Sequence, residues 1–237
     1  VGMARILVIG GGGAGLAAAL ALSQDGHAVD LVERDPTPLP ATPVEAFERW
    51  ERRGAPQVWH SHAFLARLRN LLATRAPEVL AALHAHGAYD LRFGDYLPPT
   101  VVDRSPAPGD EDLTLFACRR ITFEWVLRRH VLARRDVTWR CGVEVTGLVL
   151  DRQAGTDVPR ATGVRVRTPE GAATWEADGI VDASGRRSIA MGLRSEASGN
   201  FSTAIGGESL ASGLGATAIG NGATSTGNNT TAVGTAS

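Results

Sequence analysis

Lysine is absent: all 24 basic residues of this 237-residue chain are Arg, and 25 acidic residues leave a net charge of −1. That balance gives no case for nucleic-acid binding, because neutralising phosphates needs a concentrated basic face. Cysteine is scarce too. Cys118 and Cys141 form neither a CxxC pair nor a disulfide framework, which suits a reducing compartment. The apolar stretch Ile6–Leu22 is interrupted by glycine at 10–13 and 15 and runs into polar SQDGH without a small-residue cleavage pattern. The expectation is therefore no signal peptide, no membrane segment and a cytoplasmic location. A last scarcity is local. Beyond Ser188 there is no proline, the only charged residues are Arg194, Glu196 and Glu208, and the only aromatic is Phe201. Asparagine behaves oppositely, with Asn70 before that point and Asn200, Asn221, Asn228 and Asn229 after it. Two composition regimes share one chain.

The first regime opens on ARILVIG, an apolar run of the buried parallel-strand type. It leads into Gly10-Gly11-Gly12-Gly13-Ala14-Gly15 and then the helix-forming LAAALALSQDG. Gly10, Gly12 and Gly15 satisfy GxGxxG between a strand and a helix. In such a turn the first glycine permits the bend, the second lets backbone approach a pyrophosphate, and the third lets helix and strand pack closely. The helix N-terminus offers free N–H groups and a positive dipole end to phosphate. A second strand, HAVDLVER, ends in Glu33, spaced to accept ribose hydroxyls of an adenosine. The alternating runs EVTGLVL, ATGVRVRT and AATWEAD suit a small β-meander.

Other clusters carry less chemistry. Arg128, Arg129, Arg134 and Arg135 read as a solvated helix end, where cations complement the helix dipole. His60 and His62, like His84 and His86, are spaced i,i+2, whereas HSHAFLARLRNLL and PEVLAALHAHGA both read as helices. Neither pair then converges on a metal, and no metal site is expected. Trp125 and Leu127 are expected to pack their helix against the sheet. No residue stands out as a catalytic acid, base or nucleophile.

VIGGGGAGLAAALALSQDGHAVDLVERD resembles the N-terminus of FAD-dependent oxidoreductases of the glutathione-reductase-like class. GAPQVWHSHAFLARLRNLL, CRRITFEWVLRRHVL and EADGIVDASGRRS are similar, in order, to segments of its aromatic-hydroxylase, halogenase and geranylgeranyl-reductase branch. The resemblance implies FAD as cofactor, with Gly10, Gly12 and Gly15 at the pyrophosphate and Glu33 on the adenosine ribose. It places Arg34 among the cofactor-binding residues, Arg120 at the ribityl or phosphate region and the Val145 backbone near the adenine. Asp182 and Gly185 would approach the cofactor from the last strand, and His60 would lie near the flavin. NAD(P)H as reductant is implied by the family only. The family pattern stops at Ser188, so the half that would supply most of the substrate pocket is expected to be missing.

From Ala183 a 14-residue unit repeats: ASGRRSIAMGLRSE, ASGNFSTAIGGESL, ASGLGATAIGNGAT and STGNNTTAVGTAS. Ala190, Ala204, Ala218 and Ala232 share one column, and Gly192, Gly206, Gly220 and Gly234 another. Met191, Ile205, Ile219 and Val233 form the bulky apolar column, flanked by Ile189, Thr203, Thr217 and Thr231. A fixed period with glycine corners predicts stacked β-coils, each burying its Ile or Val against the coils above and below. The strings STAIG, ATAIG and TTAVG resemble the head of trimeric autotransporter adhesins of the YadA type. That resemblance implies a homotrimer and a surface-adhesion role.

The expected fold class is α/β: a truncated Rossmann-like FAD-binding domain over 1–182, with a parallel sheet and small β-meander, then a short left-handed parallel β-roll over 183–237. The seam falls within 183–190, because ASGRRS fits both templates. Three functions follow: a catalytically incomplete FAD-binding, monooxygenase-like oxidoreductase fragment, a trimeric adhesin-head module, or a chimera with no evolved combined function.

Overall fold

A computed structural model describes residues 2–52, 58–151, 160–184, 189–191, 196–197 and 202–235. Of the expected cofactor residues, Gly185 lies outside these. The chain divides into two compact units, Val1–Ser184 and Gly185–Ser237.

In the first unit the apolar run becomes β1 (Arg5–Ile9), the glycine turn feeds α1 (Gly13–Gln24), and HAVDLVER forms β2 (Ala28–Glu33). Next comes α2 (Pro43–Arg49), whose N-terminus is capped by the Thr42 side chain. The Thr42 hydroxyl accepts from the Glu45 N–H at 3.1 Å, and the Glu45 carboxylate accepts from the Ala41 N–H. Then follow β3 (Ser61–Phe64), α3 (Ala66–Arg75), α4 (Pro77–Ala85) and β4 (Tyr89–Arg92). β5 (Thr114–Arg119) passes directly into α5 (Arg120–Leu132). The unit closes with β6 (Val137–Cys141), β7 (Glu144–Asp151), β8 (Arg160–Thr168), β9 (Gly171–Glu176) and β10 (Gly179–Asp182).

The parallel sheet runs β10-β1-β2-β6, so β1 is central and both its faces are covered. Successive side chains of a strand point to opposite faces, and β1 shows this directly. Val8 joins the helical layer with Leu16, Ile121 and Leu127, while Leu7 joins Val32, Val143, Val164 and Val166 toward the meander. β7, β8 and β9 form that meander, antiparallel throughout, as their alternation predicts. A second small sheet has the order β3-β5-β4.

The segment starting at His60 departs from the expected helix. Ser61–Phe64 is a strand paired antiparallel with β5, and helix begins only at Ala66. Phe64 stacks on Phe116 at 4.8 Å and lies 4.6 Å from Phe123, so tertiary packing overrides the local apolar spacing. Trp125 also differs from expectation. It is buried, but its indole N–H donates to the Pro40 carbonyl and its ring meets the edge of His86 beyond α4.

In the second unit β11 (Ile189–Met191), β12 (Glu196–Ala197), β13 (Thr203–Ile205), β14 (Leu210–Ala211), β15 (Thr217–Ile219), β16 (Thr224–Ser225) and β17 (Thr231–Val233) alternate between two parallel sheets. Their orders are β11-β13-β15-β17 and β12-β14-β16, in the register that the 14-residue period demands: Ala204 pairs Ala218, which pairs Ala232. Gly206, Gly220 and Gly234 have φ of +125°, +127° and +135°. A Cβ on Gly206 or Gly220 would also collide with the carbonyl of the next glycine in the column.

One expectation about these coils is overturned. In the two central coils the residue buried inside is alanine, not the bulky apolar one. Ala204 and Ala218 are 0% exposed, whereas Ile205 is 36%, Ile219 38% and Val233 73% exposed. Strand alternation gives the reason: Ala and Ile are adjacent, so only one can face inward. The coil interior, lined also by Ala211, Ala216, Ala223 and buried Ser202, Ser209 and Ser225, has room for the smaller side chain.

Candidate functional site

The site is assembled where β1 ends and α1 begins. Gly10 takes φ +100°, donating its N–H to the Val32 carbonyl at 2.7 Å. A Cβ there would lie 2.6 Å from the Ser184 Cα. Gly15 is required for a different reason: a Cβ would strike the Gly10 carbonyl oxygen. Gly12 is unlike both. It is extended (φ −81°, ψ −176°) and a Cβ on it would meet nothing within 4 Å. Its open face adjoins the N-terminus of α1, which no side chain caps.

Arg120 borders this opening. Its backbone N–H donates to the His60 carbonyl at 3.0 Å, which puts His60 beside the first turn of α5. Its Nη2 comes within 3.1 Å of where a Gly13 Cβ would stand, and its Nη1 is buried with no hydrogen-bond partner. A bare helix N-terminus, a clear approach at Gly12 and an unpaired buried guanidinium nitrogen are what a phosphate group requires.

Glu33 ends β2 with its side chain 14% exposed. Its Oε2 accepts from the Gly11 N–H and its Oε1 from the Asp35 N–H, both at 2.9 Å. Arg34, next in the chain, is exposed. Val145 lies on β7 beside a bulge at Val145/Gly147 and packs with the Leu7 and Val32 cluster. Asp182 pairs with Ile9 at the end of β10 and accepts from the Ser184 N–H at 2.9 Å. The Gly loop, Glu33, Arg120 and Asp182 thus lie at the carboxyl ends of adjacent parallel strands or at the helix start facing them, the usual place for a ligand in an open α/β sheet.

Several residues at this site were not singled out by sequence. Arg52 donates from Nε to Glu124 Oε1 and from Nη1 to Asp35 Oδ2, each at 2.7 Å. Burial alone would lower its pKa, but the carboxylates of Glu124, Glu33 and Asp35 outweigh burial and raise it. Arg128 corrects the reading of a solvated arginine cluster. Its side chain is 1% exposed, donates to the Gly11 carbonyl at 3.2 Å, and lies 4.8 Å and 4.6 Å from the rings of Trp50 and Trp139. Burial first, then the Arg52 charge, push its pKa down to about 10, so it stays charged at neutral pH. Only Arg129 and Arg135 are exposed as expected. The readable signal was the spacing of Arg120, Glu124 and Arg128 at i, i+4 and i+8, one stripe of a helix.

Cys118 is no nucleophile, since burial pushes its thiol up to about 11. Among the described residues no group of His, Cys, Asp and Glu converges as a metal site, and no helix is long and apolar enough to cross a membrane.

A family model described as FAD dependent oxidoreductase matches residues 5–99, and the YadA head domain repeat matches twice, at 183–209 and 211–237. Among solved structures, the chain is similar to the myxobacterial chondrochloren halogenase CndH, an FAD-dependent halogenase: 25% identity, TM-score 0.52, covering 79% of this chain and 38% of that one. It is also similar to the OxyS anhydrotetracycline hydroxylase of Streptomyces rimosus, with 20% identity, TM-score 0.51 and coverage of 78% and 32%. The chain therefore spans about a third of the length of these two relatives. No curated protein sequence matches it. The first unit has the α/β fold of FAD-dependent oxidoreductases, and the parallel coils of the second are those of YadA head repeats.

Proposed function

We propose that residues 1–182 are an FAD-binding domain of an oxidoreductase of monooxygenase type, and that 183–237 are a separate β-roll domain. The pyrophosphate would lie over Gly12 at the N-terminus of α1, with Gly10 and Gly15 shaping the loop and Arg120 supplying a cation. Glu33 would accept from the adenosine ribose. Arg34, Val145, Asp182 and Gly185 complete the set proposed to line the cofactor. The observation that carries this reading is the clear space at Gly12 beside the uncapped N-terminus of α1, with Arg120 next to Gly13 and its Nη1 unpaired. Bound FAD would supply the redox chemistry, with NAD(P)H as the proposed reductant and an organic molecule as the substrate. Coil repeats occupy 183–237 instead of further oxidoreductase sequence, so we propose that these residues alone do not turn over substrate. Titration with FAD, followed by quenching of flavin fluorescence, tests the reading; unchanged fluorescence at saturating protein would sink it.

A second reading concerns the β-roll. Ile205 and Ile219 lie in register on its outside and remain over a third exposed, leaving an apolar column for a partner. We propose that this column is buried in a homotrimer of adhesin-head type. Sedimentation at micromolar concentration tests it, and a strictly monomeric mass would overturn it. The cytoplasmic location remains a proposal, to be checked by fractionation.

A further inference from the structure

Beneath the glycine loop, Glu124 is buried from water, with 1% of its side chain exposed. Three guanidinium groups surround it. Its Oε1 accepts from Arg52 Nε at 2.7 Å and lies 3.6 Å from Arg128 Nη2. Its Oε2 is buried without a hydrogen-bond partner, 3.7 Å from Arg120 Nη2. Each arginine then continues to a different part of the cradle: Arg52 to Asp35 and Glu33, Arg128 to the Gly11 carbonyl, and Arg120 to the edge of Gly13.

Stability alone gives no reason for such a cluster. Burying ion pairs costs solvation, and apolar residues of similar volume often serve as well or better. The geometry offers a reason of another kind. Arg52 has two hydrogen-bonded anchors, Nε on Glu124 and Nη1 on Asp35, and these leave its Nη2 3.6 Å from Glu33 Oε2, beyond hydrogen-bond reach. Glu33 keeps its two backbone N–H partners, and each carboxylate oxygen retains acceptor capacity for a ligand. Released from Glu124, Arg52 would be free to close on Glu33 and fill that capacity itself.

We infer that Glu124 is a positioning residue for the nucleotide: by holding Arg52 Nε it keeps the Glu33 carboxylate available to ribose hydroxyls. This rests on the dinucleotide reading above. Glu124 touches no ligand; it acts through Arg52.

The test compares ADP with 2′,3′-dideoxy-ADP by calorimetric titration of the full chain. The wild type should prefer ADP by at least about tenfold, and Glu124→Met, which has no acceptor for Arg52 Nε, should reduce that preference to about threefold or less by weakening ADP alone. The double variant Glu124→Met with Arg52→Gln removes the competing cation and should restore the preference, which a purely structural role for Glu124 would not do. If Glu124→Met fails to fold by far-ultraviolet circular dichroism, Glu124→Asp carries the same expectation, because the shorter acid cannot reach Nε. An unchanged preference in the single variant overturns the inference, as does a double variant that stays unselective. A wild type that binds neither ADP nor FAD overturns the dinucleotide reading as well. A wild type that binds FAD but does not discriminate between the two diphosphates overturns only the part assigned to Glu33 and Glu124.

Discussion

Arg128 donates from Nη2 to the carbonyl oxygen of Gly11 across 3.2 Å, tying a fully buried helix cation to the backbone of the glycine turn. Its guanidinium lies near both Trp50 and Trp139, and Glu124 is one turn away on the same helix. Arg128→Met keeps much of the volume but removes the charge and the donor. Loss of a buried, paired cation leaves its partners uncompensated, so the first unit should lose about 3 kcal/mol, read as a lower urea midpoint. A midpoint equal to wild type would show that the cation does not brace the turn.

Gly12 and Gly15 belong to one motif but should fail differently. A Cβ at Gly15 collides with the Gly10 carbonyl, so Gly15→Ala should destabilise the unit by about 3 kcal/mol or more. Gly12→Ala meets open space in a backbone conformation that alanine adopts freely. It should melt like wild type while losing at least about tenfold in FAD affinity, or about 1.4 kcal/mol. Thermal melts alongside FAD titrations separate the two. Equal stability loss in both variants would contradict this division of labour.

Asp30 shows how acid should act on the sheet. Burial alone would raise its carboxyl pKa, but hydrogen bonds and charge from Arg140 and Arg5, both at 2.7 Å, outweigh it and hold the pKa below the ordinary value. A carboxyl lowered in the folded state contributes stability above its unfolded pKa of about 3.9, and that contribution is lost as pH falls through the folded value. The stability gap between wild type and Asp30→Asn should be full near neutral pH and close below about pH 4. A gap independent of pH would refute the linkage.

In the coils, Ala218 and Ile219 are neighbours with opposite environments. Ala218→Leu overfills a column with no exposed area and should cost about 1–3 kcal/mol or unfold the roll. Ile219→Asn, on the outside, should leave the coils folded and abolish the proposed trimer in sedimentation. A folded, fully trimeric Ile219→Asn protein would remove the apolar column from the interface.

Much of this architecture is legible in the amino-acid sequence. The β1–turn–α1 unit, the meander and the 14-residue register follow from periodicity and glycine placement, which are local signals. The misreadings have a common cause. Whether Arg128 lies in water or in the core, whether Ala204 or Ile205 faces inward, and whether Ser61–Phe64 is strand or helix depend on what lies opposite, and a single segment does not carry that information. The glycine loop and Glu33 are legible from their motif and spacing, while the pairing of Arg52 with Glu124, from segments 72 positions apart, is not.

FAD binding by the wild-type chain and by Gly12→Ala, measured side by side in one calorimetric titration, tests the central claim most directly. The account predicts saturable one-to-one binding to the wild type and at least about tenfold weaker binding to the equally stable variant. Absence of binding to the wild type, or equal affinity in both, would contradict it.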